Sequence, residues 1–114
     1  MRVLCCGDRN WNDADKIRER LRRLPAETVI VHGGANGADL LAGDIALSLG
    51  FTVEGHPAEW SRYHRAAGPI RNQEMLDSGV SLVLAFHADL KKSRGTADMV
   101  RRAKKAGIVV EVIE

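Results

Sequence analysis

Apolar positions along the chain follow two alternating patterns. Runs rich in β-branched residues occur at Val3 to Cys6, Thr28 to Val31, Phe51 to Val53, Leu82 to Phe86 and Ile108 to Ile113. Most are continuous rather than alternating, as expected of strands covered on both faces. Between them, apolar residues recur at helical spacing: Ile17, Leu21 and Leu24; then Ala38, Leu41, Ala42, Ile45, Ala46 and Leu49; then Ile70, Met75 and Leu76; then Ala97, Val100, Ala103 and Ala106. Each of the four intervals between strands thus holds one helix. The crossovers are long enough for parallel pairing and are constrained to be right-handed. The pattern therefore predicts an α/β fold of three layers, a five-stranded parallel sheet with helices on both faces.

Local punctuation agrees with this reading. Asn12 or Asp13 can cap the first helix, Asn36 with Asp39 forms a weak capping box for the second, and Ser93 fits as the cap of the fourth. Gly68-Pro69 reads as the N-cap and first-turn pair of the third helix. Gly50, Gly79 and Gly107 each follow a helical run, where a left-handed residue closes the helix. One long irregular segment remains, Gly55 to Ala67, and it carries Trp60, Tyr63 and His64. In a compact domain such a segment is more often functional than idle.

Composition narrows the class without changing the fold. With 114 residues, 45% hydrophobic and 28% charged, residues 1–114 read as one domain with a core of its own. Seventeen basic residues against fifteen acidic ones give a formal charge of +2, too small a surplus to argue for general duplex-DNA binding. Cys5 and Cys6 are neighbours in a strand and point to opposite faces, so they read as small buried hydrophobes in a reducing compartment, with a redox pair as the alternative. No apolar run reaches the ~20 residues needed to cross a bilayer. Met1 to Cys6 runs into Gly7-Asp8-Arg9 without a signal-peptide pattern, so a cytoplasmic location and no membrane partner are expected. The four histidines and two cysteines show no metal-ligand spacing, and neither a metal nor a cofactor is expected.

Open parallel sheets bind ligands beyond the carboxyl ends of their strands. Three segments leave strands toward that edge with suitable residues. The first is Gly7-Asp8-Arg9-Asn10-Trp11. The second is His32-Gly33-Gly34-Ala35-Asn36-Gly37-Ala38-Asp39, whose glycines let backbone N–H groups approach an anion at a helix start; its plainer reading is a tight strand-to-helix turn. It lacks the Gly-Lys-Ser/Thr of a Walker A loop and is not a full G-x-G-x-x-G. The third is Ser93-Arg94-Gly95-Thr96, where a glycine, two hydroxyls and a guanidinium surround a helix N-terminus, the usual setting for a phosphate; here the plainer reading is a capped helix. Arg71 and Asn72, in the first turn of the third helix, can reach the same crevice or lie on an exposed face. Trp11 and Trp60 can stack on a base or cover the core edge. Asp39 and Asp98 can serve as site acids or as helix-start acids. Lys91, Lys92, Arg101, Arg102, Lys104 and Lys105 form a basic face, either solvated or used on nucleic acid.

Taken in order, Gly7-Asp8-Arg9 with Trp11, His32 to Asp39, Ala58-Glu59-Trp60, Ala67-Gly68-Pro69-Ile70-Arg71-Asn72 with Met75, and Ser93-Arg94-Gly95-Thr96 resemble the YspA-type, YpsA-related branch of the SLOG superfamily. The superfamily also holds the LOG phosphoribohydrolases and the single-stranded-DNA-binding DNA-processing protein A family. The resemblance implies a Rossmann-like fold, sheet order 3-2-1-4-5, a nucleotide-type ligand at the strand ends and a homo-oligomer. Gly95 and Thr96 look like the glycine-threonine of the LOG motif Pro-Gly-Gly-x-Gly-Thr-x-x-Glu, and Arg71 is similar in placement to an arginine those enzymes use in cleavage. Lys92, Ser93 and Arg94 replace most of the motif's start, Met99 stands where its glutamate would be, and Asp8 stands where the family usually has serine.

Three functions follow as expectations. In the first, the chain binds a nucleotide or nucleotide-derived phosphorylated ligand through Gly7, Arg9, Trp11, Gly33, Gly34, Asn36, Gly37, Asp39, Trp60, Arg71, Asn72, Ser93, Arg94, Gly95 and Thr96. The second is a phosphoribohydrolase cleaving a nucleoside monophosphate, with Asp98 or Asp39 as acid/base group and Arg71 fixing the phosphate. The third is a single-stranded nucleic-acid binder using loop aromatics and the basic helix.

Overall fold

The computed structural model describes every residue from Met1 to Glu114. Five strands, β1 (Arg2–Gly7), β2 (Val29–His32), β3 (Thr52–Gly55), β4 (Leu82–Phe86) and β5 (Val109–Ile113), form one sheet in the order β3-β2-β1-β4-β5. All four pairings are parallel, with Val3 of β1 opposite Ile30 on one side and Leu82 on the other. This is the order that the family resemblance implies.

The continuous apolar runs are explained by the two cores. Val3 and Cys5 of β1 and Leu82, Leu84 and Phe86 of β4 join one cluster with α1 (Ala14–Leu21) and α2 (Ala38–Ser48). Leu4 and Cys6, with Val83 and Ala85, join the other cluster with α4 (Ala67–Asp77) and α5 (Gly95–Lys105). A central strand must therefore be apolar at every position, because successive side chains enter different cores. The vicinal cysteines fall on opposite faces, both buried and unpaired, and burial holds both thiols well above their ordinary pKa.

The helix ends differ in places from their expected form. Asp13 caps α1, its side chain accepting from Lys16 N. Ser93 Oγ accepts from Thr96 N at 3.0 Å, the bond of an N-cap. Gly50, Gly79 and Gly107 have positive φ after their helices. By contrast, the expected capping box of α2 does not form: Gly37 occupies the N-cap without a side-chain bond, and the Asp39 carboxylate turns inward to Gly33 N instead. The segment Gly55 to Ala67 is only partly irregular. It contains a short helix, α3 (Trp60–Tyr63), and a 3₁₀ turn over His64–Ala66 that runs directly into α4. Hence α4 begins at Ala67, not at Pro69, and Pro69 sits within the first turn, where its missing N–H has no helical acceptor to lose.

Parallel winding on both faces sets the starts of α1, α2, α4 and α5 beyond the carboxyl ends of the strands, gathering all three candidate loops at one edge. No helix is long and apolar enough to cross a membrane.

Gly37 is where the loops meet most closely. It has φ +77°, and a Cβ there would overlap backbone atoms of Asp8 and Arg9. Gly50 has a similar φ of +88° but open space around it. We expect Gly50→Ala to cost on the order of 1 kcal/mol from backbone strain alone, and Gly37→Ala clearly more. Urea denaturation of the two variants checks this; equal costs would show that the first loop yields freely.

Candidate functional site

β1 lies between β2 and β4, and the chain's winding reverses there, so the gap between the loops after β1 and β4 is the crevice position that open parallel sheets offer to ligands in general. The first loop is tied across it. Asp8 N donates to Phe86 O at 2.9 Å, and Asp8 O accepts from Trp11 N and from Ala38 N, both at 3.0 Å. The Asp8 carboxylate accepts from Asn10 N at 2.9 Å. Gly7 packs against the Phe86 carbonyl and Ala38, Arg9 is exposed, and Asn10 forms the tip. Trp11 tilts onto Phe86 with centroids 5.8 Å apart, and its indole N–H donates to Asp13 O. In this state Trp11 covers the core edge, whereas Trp60 is 59% exposed.

The second loop is held from within. Gly33 N donates to Asp39 Oδ2 at 2.9 Å and Gly34 N to His32 Nδ1 at 3.0 Å. The backbone donors expected from these two glycines are therefore engaged inside the protein rather than open to an anion. Gly33 O accepts from Arg71 Nη1 at 2.5 Å, and a Cβ on Gly33 would overlap that guanidinium. Asn36 at the loop tip is exposed. Asp39 is 5% exposed, and burial pushes its pKa up to about 6, against the opposing pull of the Gly33 and Ala35 N–H groups and the Arg71 charge. Burial lowers the His32 pKa, consistent with a neutral ring whose Nδ1 accepts.

At the third loop Thr96 is buried beneath the Ser93 cap, while Arg94 and Gly95 are exposed, with open space where a Gly95 Cβ would stand. Arg71 and Asn72 connect the second loop to this one. Besides Gly33 O, Arg71 Nη1 reaches His56 O at 3.4 Å, and Nε donates to Asn72 Oδ1 at 3.1 Å. Asn72 Nδ2 donates to Asp98 Oδ2 at 3.0 Å and to Gly95 O at 3.4 Å. Asp98 also accepts from Arg101 at 3.1 Å and from Arg102 at 2.9 Å. Thus Gly33, Asp39, Arg71, Asn72, Gly95 and Asp98 form one connected group, while Arg9, Trp60 and Arg94 stand exposed outside it. Sequence reasoning passes over His32 and His56 as members of the scaffold. The only signal is His32 standing directly before Gly33-Gly34; the His56 contribution is a backbone carbonyl, which no side-chain pattern reveals.

Open hollows also lie along α4 and α5. One shallow hollow is bordered by Pro69, Ile70, Gln73 and Arg102, and a second by Asp98, Arg101 and Lys105. Both are wide open, and the strand-end crevice remains the place where the linked side chains converge.

The raised pKa of Asp39 carries a sign. Between the unfolded value near 4 and about 6, the folded state holds a proton that the unfolded chain has released, so this group's contribution to stability falls as pH rises. The difference is at most roughly 3 kcal/mol. Asp39→Asn is expected to remove this dependence, gaining stability relative to the parent at pH 7.5 compared with pH 4.5. Denaturation of both proteins at the two pH values checks it, and a pH-independent difference would show that Asp39 titrates normally.

The family described as "YspA, cpYpsA-related SLOG family" matches residues 1–63. The "Gene 61 protein" of Mycobacterium phage D29 is 42% identical over 118 residues, covering 96% of this chain and 93% of that one. The X-ray structure of DNA processing protein A (DprA) from Streptococcus pneumoniae superposes with a TM-score of 0.77 over 99% of this chain at 21% identity, and this chain spans 50% of that one. That likeness shows the shared fold. Since the family match covers residues 1–63 of 114 and includes the first two loops just described, the chain belongs to the YspA, cpYpsA-related SLOG family.

Proposed function

We propose that the chain binds a nucleotide or nucleotide-derived phosphorylated ligand at the strand-end crevice, with Arg71 as its principal anion contact. One observation carries this reading: the half-buried Arg71 guanidinium has no carboxylate within salt-bridge distance and rests on two carbonyls and an amide oxygen. A cation fixed on neutral acceptors retains its charge for an anion, and a guanidinium suits phosphate geometry. Nearby, the start of α5 offers first-turn N–H groups that no helical carbonyl can satisfy, beside the open Gly95 and the exposed Arg94. Arg9 and Trp60 supply a second cation and an exposed aromatic face toward the rest of a nucleotide.

Glycosidic cleavage finds less support in this geometry. The Asp98 carboxylate accepts from Asn72, Arg101 and Arg102, and Asp39 lies buried beneath the second loop. Met99, at the position of the LOG glutamate, is buried in the core. The nucleic-acid reading draws on the printed name of DNA processing protein A and on the exposed Arg101, Lys104 and Lys105 of α5.

Titration calorimetry with nucleoside mono- and diphosphates tests the proposal. Arg71→Gln, and separately the Gly95→Ala, Thr96→Ala pair, are expected to weaken binding tenfold or more, about 1.4 kcal/mol, without unfolding the protein. Binding of one small anion should depend shallowly on salt, whereas a log-log slope of several units with an oligonucleotide would favour the nucleic-acid reading. Release of free base that disappears in Asp98→Asn or Asp39→Asn would establish cleavage. No measurable binding of any of these nucleotides would overturn the proposal.

A further inference from the structure

The sequence marks Asn72 as a candidate ligand contact, yet its side chain has little left to offer a ligand. It is 5% exposed, and both ends of its amide are occupied, the oxygen by Arg71 Nε and the nitrogen by Asp98 and Gly95. These partners also fix which end is which. Turning the amide over would set its NH₂ against the Arg71 Nε–H, which can only donate, and its oxygen against a carboxylate and a carbonyl, which can only accept. Arg71 Nε is thus held by Asn72 and Nη1 by Gly33 O, leaving Nη2 without a protein acceptor. One residue on, Gln73 Oε1 accepts from Arg102 Nη1 at 3.1 Å, and Arg102 Nε returns to Asp98, so two successive side chains of α4 brace the start of α5.

We propose that Asn72 is the positioning residue of the crevice: it orients the Arg71 guanidinium through Nε and, through Asp98 and Gly95, locks the first turn of α5 to that orientation. Arg71 and the α5 start then face a ligand as one preset unit. A flexible arginine would instead have to be ordered when the ligand binds, at a cost in affinity. The ligand part of this inference rests on the nucleotide reading above; the hold on Arg71 does not.

The test has two independent readouts. In ¹⁵N-labelled, ligand-free protein, solvent exchange of the Arg71 Nε–H, followed by NMR, is expected to be slow in the parent and at least tenfold faster in Asn72→Ala. Equal rates in the two folded proteins would overturn the inference. Asn72→Asp separates the two roles, because it keeps an acceptor for Nε but sets a carboxylate against Asp98. There the Nε–H should stay protected while AMP affinity falls at least tenfold. Adding Asp98→Asn, which exchanges donor and acceptor across the contact, should restore part of that affinity, the carboxylate at position 72 still offsetting the Arg71 charge. If Asn72→Ala does not fold, this pair decides the matter: unprotected Nε–H, unchanged AMP affinity, or no recovery in the double variant would each overturn the inference. Loss of Nε–H protection in folded Asn72→Ala with AMP affinity unchanged would also overturn it, leaving the site itself intact. If the parent binds neither AMP nor any other nucleotide, the proposed function fails, and the exchange rates still decide whether Asn72 holds Arg71.

Discussion

The backbone of a single residue, Gly33, ties the helical layers together at the carboxyl edge of the sheet. The Gly33 N–H is taken by Asp39, which belongs to α2 on one face of the sheet, and the Gly33 carbonyl by Arg71, which belongs to α4 on the other. Gly33 directly follows β2, so both helices are referenced to the end of one buried strand. The α5 start is joined to the same point through Asn72. Removing the two partners of Gly33 would leave its N–H and carbonyl buried and unpaired, at a cost of about 1–3 kcal/mol each.

Two carboxylates show how differently this small protein treats similar groups. Glu54 is drawn down to about 2, chiefly by its side-chain hydrogen bond to Arg2, with His56 adding to the effect. Its side chain is 40% exposed, so water screens the pair and its net worth is modest. Asp39 goes the opposite way, because burial outweighs two backbone donors and the neighbouring guanidinium. The acid with a full ionic partner lies at the sheet's edge, while the acid beneath the crevice is kept close to protonation. Arg71 itself has no carboxylate within salt-bridge distance.

Most of the architecture was legible because parallel sheets impose strong demands on sequence. Every position of Leu82 to Phe86 had to be apolar, since each faces one of two cores, and Gly50, Gly79 and Gly107 mark helix ends through a conformation few other residues adopt. The sheet order came from family resemblance rather than periodicity, because pairing order depends on which crossover changes face, and spacing along the chain does not encode that. What escaped was decided by tertiary contact. Trp60 to Tyr63 forms a helix too short to show a period, and the 3₁₀ turn running into Ala67 starts α4 ahead of the Gly-Pro signal. Asp39 sits at the spacing of a capping residue, yet folding brings Gly33 N within its reach, and a buried donor competes successfully for the carboxylate. The loops were recognisable as a group, but which donors remained free was not.

The glycines of the two main loops illustrate why. At Gly33 a side chain is excluded because the protein's own guanidinium already lies against the backbone. At Gly95 nothing stands nearby, so the missing side chain leaves the α5 start open to solvent. The same residue type therefore serves an inward contact in one loop and an outward opening in the other. A sequence treats the two as equivalent phosphate-loop glycines. The structure distinguishes them, and on the nucleotide reading it moves the anion away from the glycine-rich turn after β2. In that turn the Gly33 N–H is already taken by the Asp39 carboxylate, whereas at the beginning of α5 the backbone beside Gly95 stays open.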